Sequence, residues 1–91
     1  KSLPDEVEAE IVKIAEKEKN VSEVHHIKTR RIGNNIAIEM HIRMPGEITL
    51  YESHIHATNI ENHLKEHFGR NTHIGLHVEP VKINGKYEQP E

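Results

Sequence analysis

The sequence predicts an α+β domain of element order α-β-β-α-β. The elements pack as an open-faced two-layer sandwich, two helices on one face of a three-stranded sheet. Three observations carry this. Two segments repeat apolar residues at helical spacing, near residues 4–18 and 49–67. Residues 36–44 alternate apolar and polar side chains without a break. Turn formers stand between these segments, at Gly33-Asn34-Asn35 and Pro45-Gly46.

The first helix is announced by Ser2-Leu3-Pro4-Asp5. Ser2 is a capping residue type, Pro4 suits a first turn, and Asp5, Glu6 and Glu8 favour the positive end of the helix dipole. Val7, Ile11, Ile14 and Ala15 form its apolar stripe, which runs out around Asn20. Residues 23–32 read as a strand, and Gly33-Asn34-Asn35 turns it into the next one. There Ile36, Ile38, Met40, Ile42 and Met44 share one face, with Ala37, Glu39, His41 and Arg43 on the other. Thr49-Leu50-Tyr51-Glu52 is a capping box that opens the second helix. Ala57, Ile60, Leu64 and Phe68 are its expected buried stripe, and Gly69 is its expected stop. A last strand places Ile74, Leu76 and Val78 opposite His73, Gly75, His77 and Glu79, with Pro80 expected to disturb its register. A domain over residues 1–83 and a polar tail over 84–91 follow. With right-handed crossovers, this order resembles a truncated ferredoxin-like fold.

Ninety-one residues suit one domain, and 34% hydrophobic residues give it a small core. A domain this small gains from a metal or a second subunit. Twelve basic against fifteen acidic residues argue against nucleic acid as a partner. The one basic run, Lys28-Thr29-Arg30-Arg31, lacks interleaved aromatics. There is no cysteine, hence no disulfide or thiolate chemistry. No stretch approaches the roughly 20 apolar residues of a membrane span, and no signal peptide is evident. A chain opening at Lys1 is expected to be a piece of something longer. No glycine-rich phosphate loop, nucleophile context or acid–base pair points to an enzyme.

Nine histidines are the exceptional feature. Neutral imidazoles and carboxylates bind zinc and similar divalent ions. His77 and Glu79, two apart on a strand, leave the same face, and His41 leaves the polar face of its own strand. As neighbours, these strands bring two imidazoles and a carboxylate onto one uncovered sheet face. Strict alternation puts His25 on the apolar side with Ile27, unless a bulge or strand end turns it. His54 lies in the first turn of the second helix, within reach of a sheet edge or another subunit. His56, His63 and His67 fall on the opposite flank of that helix. They read as solvated surface, although His63 and His67 have the i,i+4 spacing of a chelating pair. His26 and His73 are left as outer-shell partners. Any single histidine is most often solvated or hydrogen-bonded. A dimerisation module with no physiological metal site therefore stays open beside a metal-binding domain.

Four segments together carry a family resemblance: Val24-His25-His26-Ile27-Lys28-Thr29-Arg30, Ile38-Glu39-Met40-His41-Ile42, Glu52-Ser53-His54 and Gly75-Leu76-His77-Val78-Glu79-Pro80. Over about residues 5–82 the chain resembles the cytoplasmic C-terminal domain of cation diffusion facilitator transporters. That resemblance implies a metallochaperone-like αββαβ fold at the cytoplasmic face of a membrane. It implies a homodimer attached to a membrane transport domain that exports divalent cations, often zinc, in exchange for protons. It implies metal bound near the dimer interface by His25, His41, His54, His77 and Glu79, with Glu79 as a bridging carboxylate. Zinc stands first among the ions expected, followed by cobalt, cadmium, nickel, manganese and iron, and no small-molecule substrate beyond metal ions is implied. Two departures stand out. His26 occupies a position where the family commonly has aspartate, and Glu79 is longer by a methylene than the usual aspartate. The membrane half is absent, so this chain transports nothing by itself.

Overall fold

The computed structural model describes residues 2–87. It contains α1 (Asp5–Glu16), β1 (Ser22–Ile32), β2 (Asn35–Met44), α2 (Leu50–Phe68) and β3 (His73–Pro80). The sheet order is β1-β2-β3, with β1 antiparallel and β3 parallel to the central β2. The expected two-layer α+β sandwich is therefore formed. Its core joins Ile11, Ile14 and Ala15 of α1 to Ile60 and Leu64 of α2 across one face of β2. All five apolar residues of the β2 alternation are buried, Met40 and Ile42 completely. Among the described residues the opposite face of β2 carries no helix, and it presents Glu39, His41 and Arg43.

Several details differ from expectation for identifiable reasons. Ser2 does not cap α1. Pro4 is the N-cap, in an extended conformation and without a side-chain cap, and its carbonyl receives the N–H groups of Val7 and Glu8. The chain ahead is pinned elsewhere: Leu3 is buried and its N–H donates to Thr29 Oγ1 at 3.0 Å. The α1 helix stops at Glu16, and Asn20 turns the chain with φ of 70°. Pro80 does not disturb the last strand but pairs in register with Met44. On an edge strand its missing N–H faces outward, and the next N–H, Val81, bonds Met44 O at 2.9 Å. Thr49 does cap α2, accepting the Glu52 N–H at 3.0 Å, and Gly69 ends it with φ of 119°. The start of the polar tail folds into a turn. Ile83 and Lys86 exchange backbone hydrogen bonds around Asn84-Gly85, both at positive φ. Residues 88–91 of the expected tail lie outside the described residues.

His56 is the clearest correction. It was expected on solvated surface, but it is buried in the α2 stripe beside Ile60 and Leu64, while Ala57 and Phe68 are half-buried. Its Nδ1 lies 2.7 Å from Glu18 Oε2, and Asn59 donates to the same oxygen at 3.0 Å. Asn20 Nδ2 stands 3.3 Å from the other ring nitrogen. A buried imidazole is tolerated because each nitrogen has a partner. The cluster ties the α1–β1 connection to α2.

The β1 strand is irregular where the site lies. Ser22 pairs with Arg43, His25 with His41 and Lys28 with Glu39, so three residues of β1 twice span two of β2. Each step inserts one extra residue, and Glu23 and His26 take φ of 49° and 51°. These are two consecutive β-bulges. They replace alternation by a period of three, so Ser22, His25 and Lys28 all face the open side opposite Arg43, His41 and Glu39. A left-handed backbone costs a non-glycine residue about 1–2 kcal/mol.

Two outcomes follow for stability. Glu23→Gly, at an exposed left-handed position, is expected to leave stability unchanged or raise it by up to about 1 kcal/mol in urea unfolding. A loss greater than the roughly 1 kcal/mol that the ion pair of exposed Glu23 with Arg43 can supply would contradict the bulge geometry. Burial pushes the Glu18 carboxyl up, but the hydrogen bonds from Asn59 and His56 outweigh it, and its pKa falls below the ordinary 4.5. A depressed folded pKa stabilises above 4.5, and that contribution disappears as pH falls through the folded value. Glu18→Gln should therefore be less stable by about 1–2 kcal/mol at pH 7. The gap to wild type should close below pH 4.5, read from urea midpoints across pH.

Candidate metal centre

His41 occupies the middle of the open face. It pairs with His25 on one side and with His77 on the other, so three imidazoles form a row across the three strands. Ring centroids are 5.5 Å apart for His25 and His41, and 4.5 Å apart and nearly parallel for His41 and His77. The second bulge brings in a fourth ring: His26 lies 4.9 Å from His25 and 5.0 Å from His41. One nitrogen from each of His25, His26 and His41 falls within 4.8 Å of the other two. One register step along, Glu79 pairs with Arg43.

Oxygen atoms engage at least one nitrogen of each ring in the row. His25 Nδ1 donates to the backbone carbonyl of Glu23, a bond made possible by the first bulge. His41 Nδ1 lies 2.6 Å from Glu79 Oε2. His77 Nε2 lies 2.9 Å from Glu39 Oε2. A carbonyl or carboxylate oxygen only accepts, so the proton sits on the engaged nitrogen. The other nitrogen of a neutral His41 or His77 ring keeps its lone pair, the arrangement that metal-binding histidines use. His25 differs, because its Nε2 also faces an oxygen, Glu79 Oε1 at 3.4 Å. The hydrogen bond from His41, aided by the Arg43 charge against slight desolvation, holds the Glu79 carboxyl below its ordinary pKa of 4.5. The His77 bond lowers Glu39 in the same sense. Both carboxylates are thus charged near neutrality. Nitrogen and oxygen donors without sulfur suit divalent ions of intermediate softness, so this donor set fits a metal.

Of the residues singled out from sequence, His25, His41, His77 and Glu79 share the open face. His54 is exposed near the start of α2 and has no contact with the row among the described residues. Two neighbours, Glu39 and Arg43, were not taken as site residues. Both were legible, because alternation places them on the face of His41. His26 was left as an outer-shell partner, and its approach to the row depends on a left-handed residue inside a bulge that strand periodicity does not reveal.

Fold and site together define an α+β module built around a histidine-rich sheet face. The chain belongs to the family of cation efflux proteins, as their cytoplasmic domain: the family model matches residues 3–81. It is 29% identical over 83 residues to the cation-efflux pump FieF of Escherichia coli O1:K1 / APEC. That match takes in 91% of this chain but 27% of the pump, so the chain spans about a quarter of its curated relative. Among solved structures it is similar to the Zn form of CzrB, with 28% identity, a TM-score of 0.78 and 97% of each chain covered. The metal-bound C-terminal domain of the CzcD transporter from Thermotoga maritima shares the fold. It has 24% identity, a TM-score of 0.76, and coverage of 87% of this chain and 92% of that one. No described helix is long and apolar enough to cross a membrane.

The electrostatics of the site are testable without metal. Carbon-13 NMR titration of the Glu79 carboxyl should give a midpoint below 4.5. In His41→Ala, which removes the hydrogen bond that lowers it, the midpoint should move back up. An unmoved midpoint would mean that His41 does not hold this carboxylate.

Proposed function

We propose that this domain senses a divalent cation, zinc first, and regulates a metal-exporting, proton-coupled transport domain to which it is attached. The observation that carries this is the His25–His41–His77 row, with Glu79 beside it and a lone pair left on neutral His41 and His77. The Zn form of the related CzrB supports zinc as the first ion to try. His25, His41, His77 and Glu79 would hold the ion, with His26 as an additional nitrogen donor. When bound, the ion supplies positive charge that unites donors from three strands.

The domain acts as a homodimer in this proposal, and His54 serves as a ligand from the partner subunit. Its exposed place on α2, away from its own row, is consistent with that role. Regulation then requires that metal bind one dimer arrangement more tightly than another, since equal affinity for both shifts nothing. Protons compete with metal for the imidazoles, so metal affinity falls as the solution becomes more acidic. Transport belongs to the part of the protein that this chain does not include.

The test is zinc titration of the chelator-stripped chain by calorimetry, with small-angle scattering in the same buffer. Saturable binding that compacts a dimer is the expected result. His77→Ala and Glu79→Ala should each weaken binding at least about tenfold, by loss of a ligand, with the circular dichroism spectrum unchanged. Full affinity in both variants would remove these residues from the site. Absence of binding below about millimolar zinc would favour the second reading, a dimerisation module whose histidines hold the sheet face together through Glu39 and Glu79.

A further inference from the structure

We propose that Arg43 is a resident cation that competes with metal for Glu79, and that the C-terminal turn sets the strength of this competition by fastening Arg43. This rests on the sheet face being a metal centre.

Arg43 is the most thoroughly engaged side chain near the site. Its Nη2 lies 3.3 Å from Glu79 Oε1 and its Nε 3.5 Å from Glu23 Oε1. Its Nη1 donates to the Pro80 carbonyl at 3.0 Å and to Tyr87 Oη at 3.2 Å. The guanidinium carbon also sits 5.8 Å from the centre of the Tyr87 ring. Only 11% of the side chain is exposed. Tyr87 is placed by the Ile83–Lys86 turn just before it, and Lys82 Nζ approaches the same ring at 5.2 Å. The turn, the end of β3 and the first bulge of β1 therefore converge on one guanidinium.

A guanidinium stays charged at any pH a protein survives, so Arg43 cannot withdraw by losing a proton. Glu79 Oε1 is held by Arg43 and faced by His25, which leaves Oε2 toward His41. A carboxylate oxygen shared with a guanidinium is a poorer donor, and two cations drawn to one carboxylate repel each other. Metal that takes both oxygens of Glu79 must push Arg43 aside, and Arg43 then loosens from Tyr87. The linkage runs both ways: whatever frees Tyr87 from Arg43 favours metal, and metal frees Tyr87. The sign separates this from a supporting role. An arginine that merely orients Glu79 as an outer-shell partner would strengthen metal binding; a competing cation weakens it.

The experiment compares zinc titrations of the chelator-stripped wild type, Arg43→Met and Tyr87→Phe at low and moderate salt. Methionine keeps most of the alkyl stem and removes the charge. Arg43→Met should bind zinc about tenfold more tightly, a gain that shrinks as salt screens the charge. Tyr87→Phe, which loses one anchor, should gain about two- to threefold. Zinc should shift the Tyr87 ring-proton resonances in the wild type and leave them in place in Arg43→Met. Equal or weaker binding by Arg43→Met, while the wild type binds, overturns the competition and leaves the metal centre standing. Binding seen only in Arg43→Met supports the competition. Binding in neither overturns both. If Arg43→Met does not fold, Tyr87→Phe decides: unchanged affinity overturns the proposal.

Discussion

The two-sidedness of β2 is the constraint on which the rest depends. As the central strand it is hydrogen-bonded along both edges, so its side chains have only two directions in which to leave. Ile36, Ile38, Met40, Ile42 and Met44 go to the helices and are buried there. Glu39, His41 and Arg43 consequently go to the open face, as a carboxylate, an imidazole and a guanidinium in consecutive rows. Packing and chemistry are thus coupled through one backbone. A one-residue slip of β2 would expose five core side chains and bury three charged or titratable ones. The register of the site is therefore fixed by the hydrophobic core, with no need for a metal to define it.

Neighbouring strands obey that register in different ways. In β3 the parallel pairing is regular, so His77 lands beside His41 and Glu79 beside Arg43 by alternation alone. The β1 strand reaches the same rows through two bulges, and so delivers His25 in spite of its apolar-side position in a plain strand. The backbone near the row is the strained part of the sheet, with left-handed residues at Glu23 and His26. Strain of this kind persists where surrounding structure over-determines it. Here it also sets the Glu23 carbonyl against His25 Nδ1, so the bulge that turns the imidazole also fixes its proton.

Much of this was legible in the residues. The alternation from Ile36 to Met44, the Thr49 cap and the Gly69 stop gave the elements within one or two positions. His41, His77 and Glu79 were placed on one face by counting in twos. His25 was left open because counting in twos is the wrong rule for a bulged strand. The position of His56 was misjudged for another reason. A histidine on a helix flank reads as surface, and what buries it is Glu18, 38 residues earlier, a partner that no local pattern reveals. Tyr87 and Arg43 lie 44 residues apart and were hidden for the same reason. Local periodicity reports which face a side chain takes; long-range polar partners come from tertiary packing.

The bulges also bear on how two copies of this domain can meet. The β1 strand is an edge of the sheet, and at 11 residues it is the longest strand. A regular edge of that length is a template for another strand to join. Between Ser22 and Lys28 the spacing of its outward-facing backbone groups is broken twice, so an incoming strand finds no continuous ladder there. The irregularity that gathers imidazoles on the face of the sheet thus also interrupts its rim. Strand addition is therefore disfavoured at that end of the sheet, next to the histidines.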